Sequence, residues 1–247
     1  MYEGYKIGVV IPAYNEEVLI GRAVECVPAF VDRVYIIDDG SIDATPQIIG
    51  SFNGTRHCAL FHRNNCGVGA AIVTGYKKAM EENIDIAVVM AGDYQMDPVQ
   101  LPRLLEPLVQ GNADYAKGNR LSDPAHRSGM SNWRFFGNQL LTQLTRIASG
   151  YWSIRDPQNG YAAITRKALE EIDLEGLYPR YGYCNDLLVK LKVADCTVAD
   201  VPMPARYGDE RSKIKYSTYI RTVSPLLLKG FVWRLRVKYV SGGNSSC

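Results

Sequence analysis

At 247 residues, 47% hydrophobic and 22% charged, the chain has the makeup and length of one large α/β domain with an appendage, which excludes disordered and collagen-like classes. The net charge of +2 conceals an asymmetry: residues 1–210 carry 20 Lys/Arg against 26 Asp/Glu, and residues 211–247 carry 8 Lys/Arg and no acid. An acidic body argues against a nucleic-acid partner, while the basic tail suits an anionic surface.

Along the first half, short β-branched runs at 7–11, 33–37, 58–62, 85–90 and 114–117 predict strands. Apolar residues at helical spacing over 17–27, 44–52, 67–81 and 98–109 predict the helices between them. Strands alternating with helices imply βαβ units and a mainly parallel sheet, with ligands at the carboxyl ends of the strands. The unusual residues fall at those ends: Pro12-Ala13-Tyr14-Asn15-Glu16, Asp38-Asp39-Gly40-Ser41 and Gly92-Asp93-Tyr94-Gln95.

The second half differs. Residues 124–155 hold four arginines, one histidine and no acid, with Trp133, Phe136, Leu140, Leu144, Ile147 and Tyr151 forming an aromatic-rich helical stripe. A strand near 161–165 and a helix near 183–193 follow, and the chain then turns through Pro202 and Pro204. In the basic segment 213–239, Val223, Leu227, Phe231, Leu235 and Tyr239 form a row at steps of four, interrupted by Arg234 and Lys238. That pattern predicts an interfacial helix whose long basic side chains snorkel to lipid headgroups. The expected division is therefore a catalytic domain over 1–210, containing the basic aromatic segment 124–155, and a membrane-associating tail over 211–247.

Cysteines at 26, 58, 66, 184, 196 and 247 form no C-x-x-C pair, the pattern of reduced structural thiols. The first seven residues hold no secretory apolar core, and no uncharged apolar run approaches the ~20 residues of a membrane span. The expectation is peripheral attachment at the cytoplasmic face of a membrane.

A carboxylate and an amide oxygen two residues apart, as in Asp93 and Gln95, suit partial coordination of Mg²⁺ or Mn²⁺, hard cations that share phosphate oxygens as ligands. One such loop alone is better explained by turn and cap chemistry. Three after three strands are not. Gly67-Val68-Gly69 is only half of a dinucleotide fingerprint, and His57, His62 and His126 are scattered with no nucleophile to pair with.

Taken in order, the segments Ile11-Pro12-Ala13-Tyr14-Asn15-Glu16-Glu17, Asp38-Asp39-Gly40-Ser41-Ile42-Asp43-Ala44-Thr45 and Asn65-Cys66-Gly67-Val68-Gly69-Ala70-Ala71 form the first part of a recognisable set. Gly92-Asp93-Tyr94-Gln95-Met96-Asp97-Pro98, Gly118-Asn119-Arg120 and Asp156-Pro157-Gln158-Asn159-Gly160-Tyr161 complete it. The chain resembles glycosyltransferase family 2, with its GT-A nucleotide-sugar fold, and within it the dolichyl- and polyprenyl-phosphate sugar synthases. The resemblance implies an inverting transfer from a nucleotide sugar, UDP- or GDP-linked, to a polyprenyl phosphate.

By that resemblance Pro12, Ala13, Tyr14 and Glu16 frame the nucleobase and ribose, Asp38 and Asp39 serve the base, and the Gly67 backbone meets the diphosphate. Asp93 and Gln95 hold the metal. Arg120, of the Gly-x-Arg motif, and Arg134, with Arg206 and Arg211, are cations for diphosphate or acceptor phosphate, and Ser212-Lys213 ends an acceptor loop. Asp186 stands where the family places an acidic residue near the acceptor, and equally where it would cap the next helix. Ala91 departs from the pattern, for family members usually carry a second aspartate there. A transferase with a carbohydrate acceptor is the alternative. A nucleotidyltransferase fits less well, since Pro12-Ala13-Tyr14-Asn15-Glu16 lacks a glycine-rich basic loop.

Overall fold

The computed structural model describes residues 1–52, 54–122, 132–204 and 216–241. Strands β1 (Ile7–Ala13), β2 (Arg33–Asp38), β3 (His57–Phe61), β4 (Ile86–Val89), β5 (Tyr115–Asn119), β6 (Ala162–Thr165) and β7 (Val198–Pro202) form one sheet in the order β3-β2-β1-β4-β6-β5-β7. β1 pairs in parallel with β2 and β4, β2 with β3, and β5 with β7. β6 alone runs antiparallel, wedged between β4 and β5. The sheet is thus mainly parallel, as the alternation of elements predicts.

Helices α1 (Ile20–Glu25), α2 (Thr45–Ser51) and α4 (Leu101–Val109) cover one face, where Ile20, Val24, Ile49, Leu104 and Leu108 pack on Val9, Ile11, Val34 and Ile36. The other face carries α3 (Val68–Glu81), α6 (Arg166–Glu171) and α7 (Tyr183–Val193), with Ile72, Tyr76, Leu169, Leu187 and Leu188 against Val10, Tyr35, Ile37 and Val89. Period-two alternation along β1 and β2 sends successive residues to these two cores, so both strands read as unbroken apolar runs.

Two elements escaped the sequence reading. β7 (Val198–Pro202) precedes the turn expected at Pro202 and Pro204, and Asp200 breaks its apolar pattern; it is an edge strand, where proline is tolerated. α6 is short and begins on a Thr165 cap whose side chain accepts the Ala168 N–H. α1 starts later than the apolar spacing implies, because the Glu16 and Glu17 amides are donated to Thr45 Oγ1 (2.8 Å) and Asp43 Oδ2 (3.3 Å).

Helices α5 (Asn132–Ser149) and α8 (Tyr216–Leu235) form a third layer with α7, and a π-helical turn (Arg236–Ser241) ends the described chain. Here the structure corrects the sequence reading twice. The expected stripe on α5 is split: Leu144 packs inward beside Leu141 and Ala148, and Tyr151 is buried, whereas Leu140 and Ile147 are exposed. The row on α8 faces the protein, not the outside, for Val223 and Leu227 are buried against Leu141, Ala148 and Val189, with Phe231 beside them. Nor do the two basic residues snorkel outward. Arg234 donates from Nε and Nη2 to the carbonyls of Ala148 (2.8 Å) and Ile147 (3.1 Å) at the end of α5, and Lys238 pairs with Asp195. A guanidinium on the last carbonyls of a helix is favourable at its negative end.

Candidate active site at the carboxyl edge of the sheet

The three expected loops meet. β2, β1 and β4 are neighbours, and their carboxyl ends deliver Asp38-Asp39, Pro12-Ala13-Tyr14 and Gly92-Asp93 side by side. The Asp39 N–H donates to Ala13 O (2.9 Å) and the Gly92 N–H to Pro12 O (3.2 Å), so both acidic loops are tied to the end of β1. Gly92 permits this approach: a Cβ there would stand 3.1 Å from Ile20 Cδ1 and 3.2 Å from Pro12 O.

The first two loops lock together. Asn15, in the left-handed region at φ +53°, gives its N–H to Ser41 Oγ (2.9 Å) and accepts the Ile42 N–H on Oδ1 (3.0 Å). Glu17 Oε2 accepts the Ala44 N–H (2.9 Å). Glu16 is placed by its backbone bond to Thr45, and Tyr14 is exposed above the joined loops.

Asp38 and Asp39 are both buried, on opposite sides of the sheet by parity. Asp38 Oδ2 accepts the Ser41 N–H (3.3 Å), while Oδ1 is buried without a partner among the described residues. Asp39 is fully engaged. Its Oδ1 hydrogen-bonds His62 Nδ1 (2.7 Å) and accepts the Cys66 N–H (2.9 Å); its Oδ2 accepts the Gly67 N–H (2.7 Å). His62 Nε2 in turn hydrogen-bonds the Thr74 hydroxyl (2.9 Å).

Asp39, His62 and Cys66 bring their donor atoms within 4.8 Å of one another, yet they are not a metal centre. The 2.7 Å separation of Asp39 and His62 is that of a charge-assisted hydrogen bond. Two tetrahedral ligands at about 2.0 Å from one ion would stand roughly 3.3 Å apart. His62, set aside as unpaired on the sequence, is thus a working part of the Asp39 anchor. Its partners are 23 and 12 residues away, which no local spacing reveals.

The same anchor engages Gly67. Its N–H already belongs to Asp39, and its φ of +102° with Pro179 O only 2.4 Å from any added Cβ explains the glycine. The Ala70 N–H, one turn on, is donated to Pro179 O (3.0 Å). Asp39 and Pro179 thus hold the Gly67 and Ala70 N–H groups at this helix start.

On the third loop Asp93 Oδ1 accepts the Gln95 N–H (3.1 Å), with Tyr94 at φ +60° between them and the Arg22 guanidinium 4.8 Å above the Tyr94 ring centre. Asp93 and Gln95 are half-buried neighbours on one tight turn. This all-oxygen pair fits Mg²⁺ or Mn²⁺ better than a soft metal. Ala91, where a second carboxylate was expected, donates its N–H to Met96 Sδ (3.1 Å).

Arg120 is not an open cation. It donates from Nε and Nη2 to Asp156 Oδ2 (2.8 Å) and Oδ1 (3.2 Å), and Asp156 is wholly buried. Burial alone would raise the Asp156 pKa, but the Arg120 guanidinium, with Lys117 behind it, outweighs burial and holds the pKa below the usual value. Lys117 is itself fully buried and donates to Asn159 O. Asp200 lies in the same region, accepting from Asn119 Nδ2 and the Arg155 N–H, and burial pushes its pKa up to about 6. Neither Asp156 nor Lys117 was assigned a role on the sequence, although Asp156 stood in a quoted motif.

Asp186 is in the first turn of α7, but Gly182 is the cap residue. Its carboxylate accepts the Tyr178 N–H (2.9 Å), steadying the segment that covers Gly67 and Gly69, and burial raises its pKa. Ser212, Lys213, Arg206 and Arg211 lie outside the described residues, as does the side chain of Arg134.

Comparison with known proteins gives this arrangement a family. The chain is 31% identical over 218 residues to UDP-N-acetylglucosamine–dolichyl-phosphate N-acetylglucosaminyltransferase of Methanococcus voltae, covering 82% of this chain and 86% of that one. It is 29% identical to undecaprenyl-phosphate mannosyltransferase of Micrococcus luteus, covering 78% and 81%. Among solved structures, glucosyl-3-phosphoglycerate synthase of Mycobacterium tuberculosis, in complex with Mn²⁺, UDP and phosphoglyceric acid, superposes with a TM-score of 0.66 at 20% identity, covering 94% of this chain and 78% of that one. That likeness carries the fold, which is GT-A. A family model described as glycosyl transferase family 2 matches residues 8–173, a span that holds the three loops at the ends of β1, β2 and β4, and the chain is therefore a glycosyltransferase belonging to that family.

Proposed function

We propose that the chain transfers a sugar, with inversion, from a nucleoside-diphosphate sugar to a polyprenyl phosphate at the cytoplasmic face of a membrane. The observation that carries the donor half is the convergence of Pro12–Tyr14, Asp38–Asp39 and Asp93–Gln95 on three adjacent strand ends. The acceptor half is supported by relatives whose names specify dolichyl and undecaprenyl phosphate.

Pro12, Ala13, Tyr14 and Glu16 line the nucleobase and ribose end. Asp38 and Asp39 shape it from below, Asp39 by fixing the loop at Cys66-Gly67. Asp93 and Gln95 would hold Mg²⁺ or Mn²⁺, which when bound supplies positive charge against the departing nucleoside diphosphate. Arg120 contributes through the turn it fixes with Asp156, and Arg134, Ser212 and Lys213 are assigned to the acceptor phosphate. A phosphate acceptor is already ionised and attacks without a general base. A sugar hydroxyl would need one. Asp186, which accepts the Tyr178 N–H, serves support in this reading and would take the proton in the carbohydrate-acceptor one.

Membrane contact falls to the outer side of α8, where Leu228, Val232 and Trp233 are exposed beside Lys229, and to Tyr239 and Val240 beyond it. No helix among the described residues is long and apolar enough to cross a bilayer. The test is transfer from labelled UDP- and GDP-sugars to added polyprenyl phosphate, read as lipid-linked product. A product formed on free oligosaccharide and not on the lipid would instead establish the carbohydrate-acceptor reading.

A further inference from the structure

Residues 156–159 form a tight turn, closed by the Asn159 N–H on Asp156 O (3.3 Å). Both ends are committed. Asp156 receives Arg120; Asn159 gives Nδ2 to Gly118 O (2.9 Å), accepts the Tyr161 N–H on Oδ1 (3.1 Å), and takes Lys117 Nζ on its carbonyl. Pro157 and Gln158 are the central residues, where polar side chains ordinarily turn to water. Gln158 does the opposite. Its amide Nε2 and Oε1 are both buried, and neither has a hydrogen-bond partner among the described residues.

Buried amides are almost always paired, so one whose two polar atoms find no partner in the chain has them left for water or for a ligand. The surroundings say what. On one flank lies the Gly118–Arg120 motif. On the other, the register Val89↔Ala162 carries residues 160 and 161 alongside the end of β4, and the Tyr161 hydroxyl donates to Asp97 O (3.1 Å). A Cβ on Gly160 would stand 3.3 Å from Met96 Cε, in the loop of Asp93 and Gln95. The turn therefore sits between the metal-suited loop and Arg120, on the side of β4 away from the base-framing loops of β1 and β2.

A nucleoside-diphosphate sugar has three parts to offer such a group. The base end belongs to β1 and β2. Phosphate oxygens only accept, and would leave Gln158 Oε1 unpaired and facing negative charge. Sugar hydroxyls both donate and accept, and two neighbouring hydroxyls match the side-by-side acceptor and donor of one planar amide. We propose that Gln158 is a specificity-determining residue whose amide takes hydroxyls of the transferred sugar. The proposal rests on the donor reading above. Because a site built to pair a hydroxyl rejects a sugar lacking it, Gln158 helps choose the sugar.

The test compares a nucleoside diphosphate with its sugar conjugate (UDP with UDP-N-acetylglucosamine, GDP with GDP-mannose) by calorimetric titration of the full chain with Mg²⁺. Gln158→Met, close in shape but apolar, should leave the nucleoside-diphosphate Kd within about twofold and weaken the sugar conjugate about tenfold. Its Tm should equal or exceed that of the parent, since removing an unpaired buried amide relieves a cost. An equal loss for both ligands, no loss for the sugar conjugate, or a clear fall in Tm would overturn the assignment. A parent chain that binds no nucleoside diphosphate would sink the donor reading itself, a result distinct from any of these.

Discussion

Arg120 and Asp156 form a two-pronged pair, Nε to Oδ2 at 2.8 Å and Nη2 to Oδ1 at 3.2 Å, with the carboxylate fully buried and the guanidinium mostly so. Removing one member of a buried pair strands the other. Arg120→Ala should destabilise the fold by about 3 kcal/mol, with Arg120→Lys intermediate because an ammonium cannot make the fork. Urea unfolding measures this. An arginine serving only a ligand phosphate would leave stability unchanged.

Asp39 yields a related prediction. Asp39→Ala removes the acceptor for two backbone N–H groups and for His62, leaving the buried Gly67 N–H unpaired. The expected loss is about 2–4 kcal/mol of stability, together with weakened nucleoside-diphosphate binding as the 64–67 segment loosens. A variant with full stability and reduced binding would instead make Asp39 a direct base contact.

Much of this was legible in the sequence. The apolar runs of β1, β2 and β4 and the acidic residues closing them marked both the sheet and its carboxyl edge, because a buried parallel strand and a ligand loop each impose local composition. What stayed hidden was pairing at a distance. Asp39–His62, Arg120–Asp156 and Asp186–Tyr178 join residues 23, 36 and 8 apart whose meeting depends on strand order and helix placement. The α8 row misled for a related reason. Apolar spacing identifies a face to be covered, and cannot tell whether lipid or α5 covers it.

Asp200 supplies a pH signature. Burial, with the neighbouring Asp156 adding to it, raises its folded pKa to about 6 against the pull of Lys117, the Arg155 N–H and Asn119, whereas the unfolded value is about 3.9. The folded state then holds the proton more tightly, so stability falls as pH rises from about 4 to 6 and stays lowered above that. The penalty is on the order of 3 kcal/mol. Asp200→Asn removes this titration at the cost of one acceptor, about 1 kcal/mol at every pH. Relative to the parent, the variant should therefore gain stability between pH 4 and pH 7.5. A gap between the two unfolding curves that ignores pH would show that Asp200 does not titrate in this range.

The outward side of α8 separates membrane contact from folding. Leu228 and Val232 are 65% and 56% exposed, whereas Val223 and Leu227 are buried against α5 and α7. The double variant Leu228→Glu, Val232→Glu should keep its Tm within about 2 °C, as surface changes do. It should bind vesicles containing anionic phospholipid at least tenfold more weakly, having lost apolar insertion and gained like charge. Leu227→Asp should instead unfold the third layer. Undiminished vesicle binding by the double variant would move the membrane face elsewhere.

Ala91 and Asp93 make the last prediction. Asp93 and Gln95 provide a carboxylate and an amide oxygen, while Ala91, where a second carboxylate was expected, provides none from its side chain. A site with one carboxylate depends more on phosphate oxygens to complete the shell, so cation binding should be weak alone and strengthen with a nucleoside diphosphate. Asp93→Ala should abolish transfer and remove this cooperative binding, since it takes away the carboxylate that Ala91 cannot replace. Ala91→Asp should act in the opposite sense, tightening Mn²⁺ binding about tenfold without nucleotide as a second carboxylate enters. Calorimetric titration of Mn²⁺ with and without UDP or GDP reads both variants. Tighter Mn²⁺ binding in Ala91→Asp that persists when Asp93 is also replaced would place the cation away from Asp93.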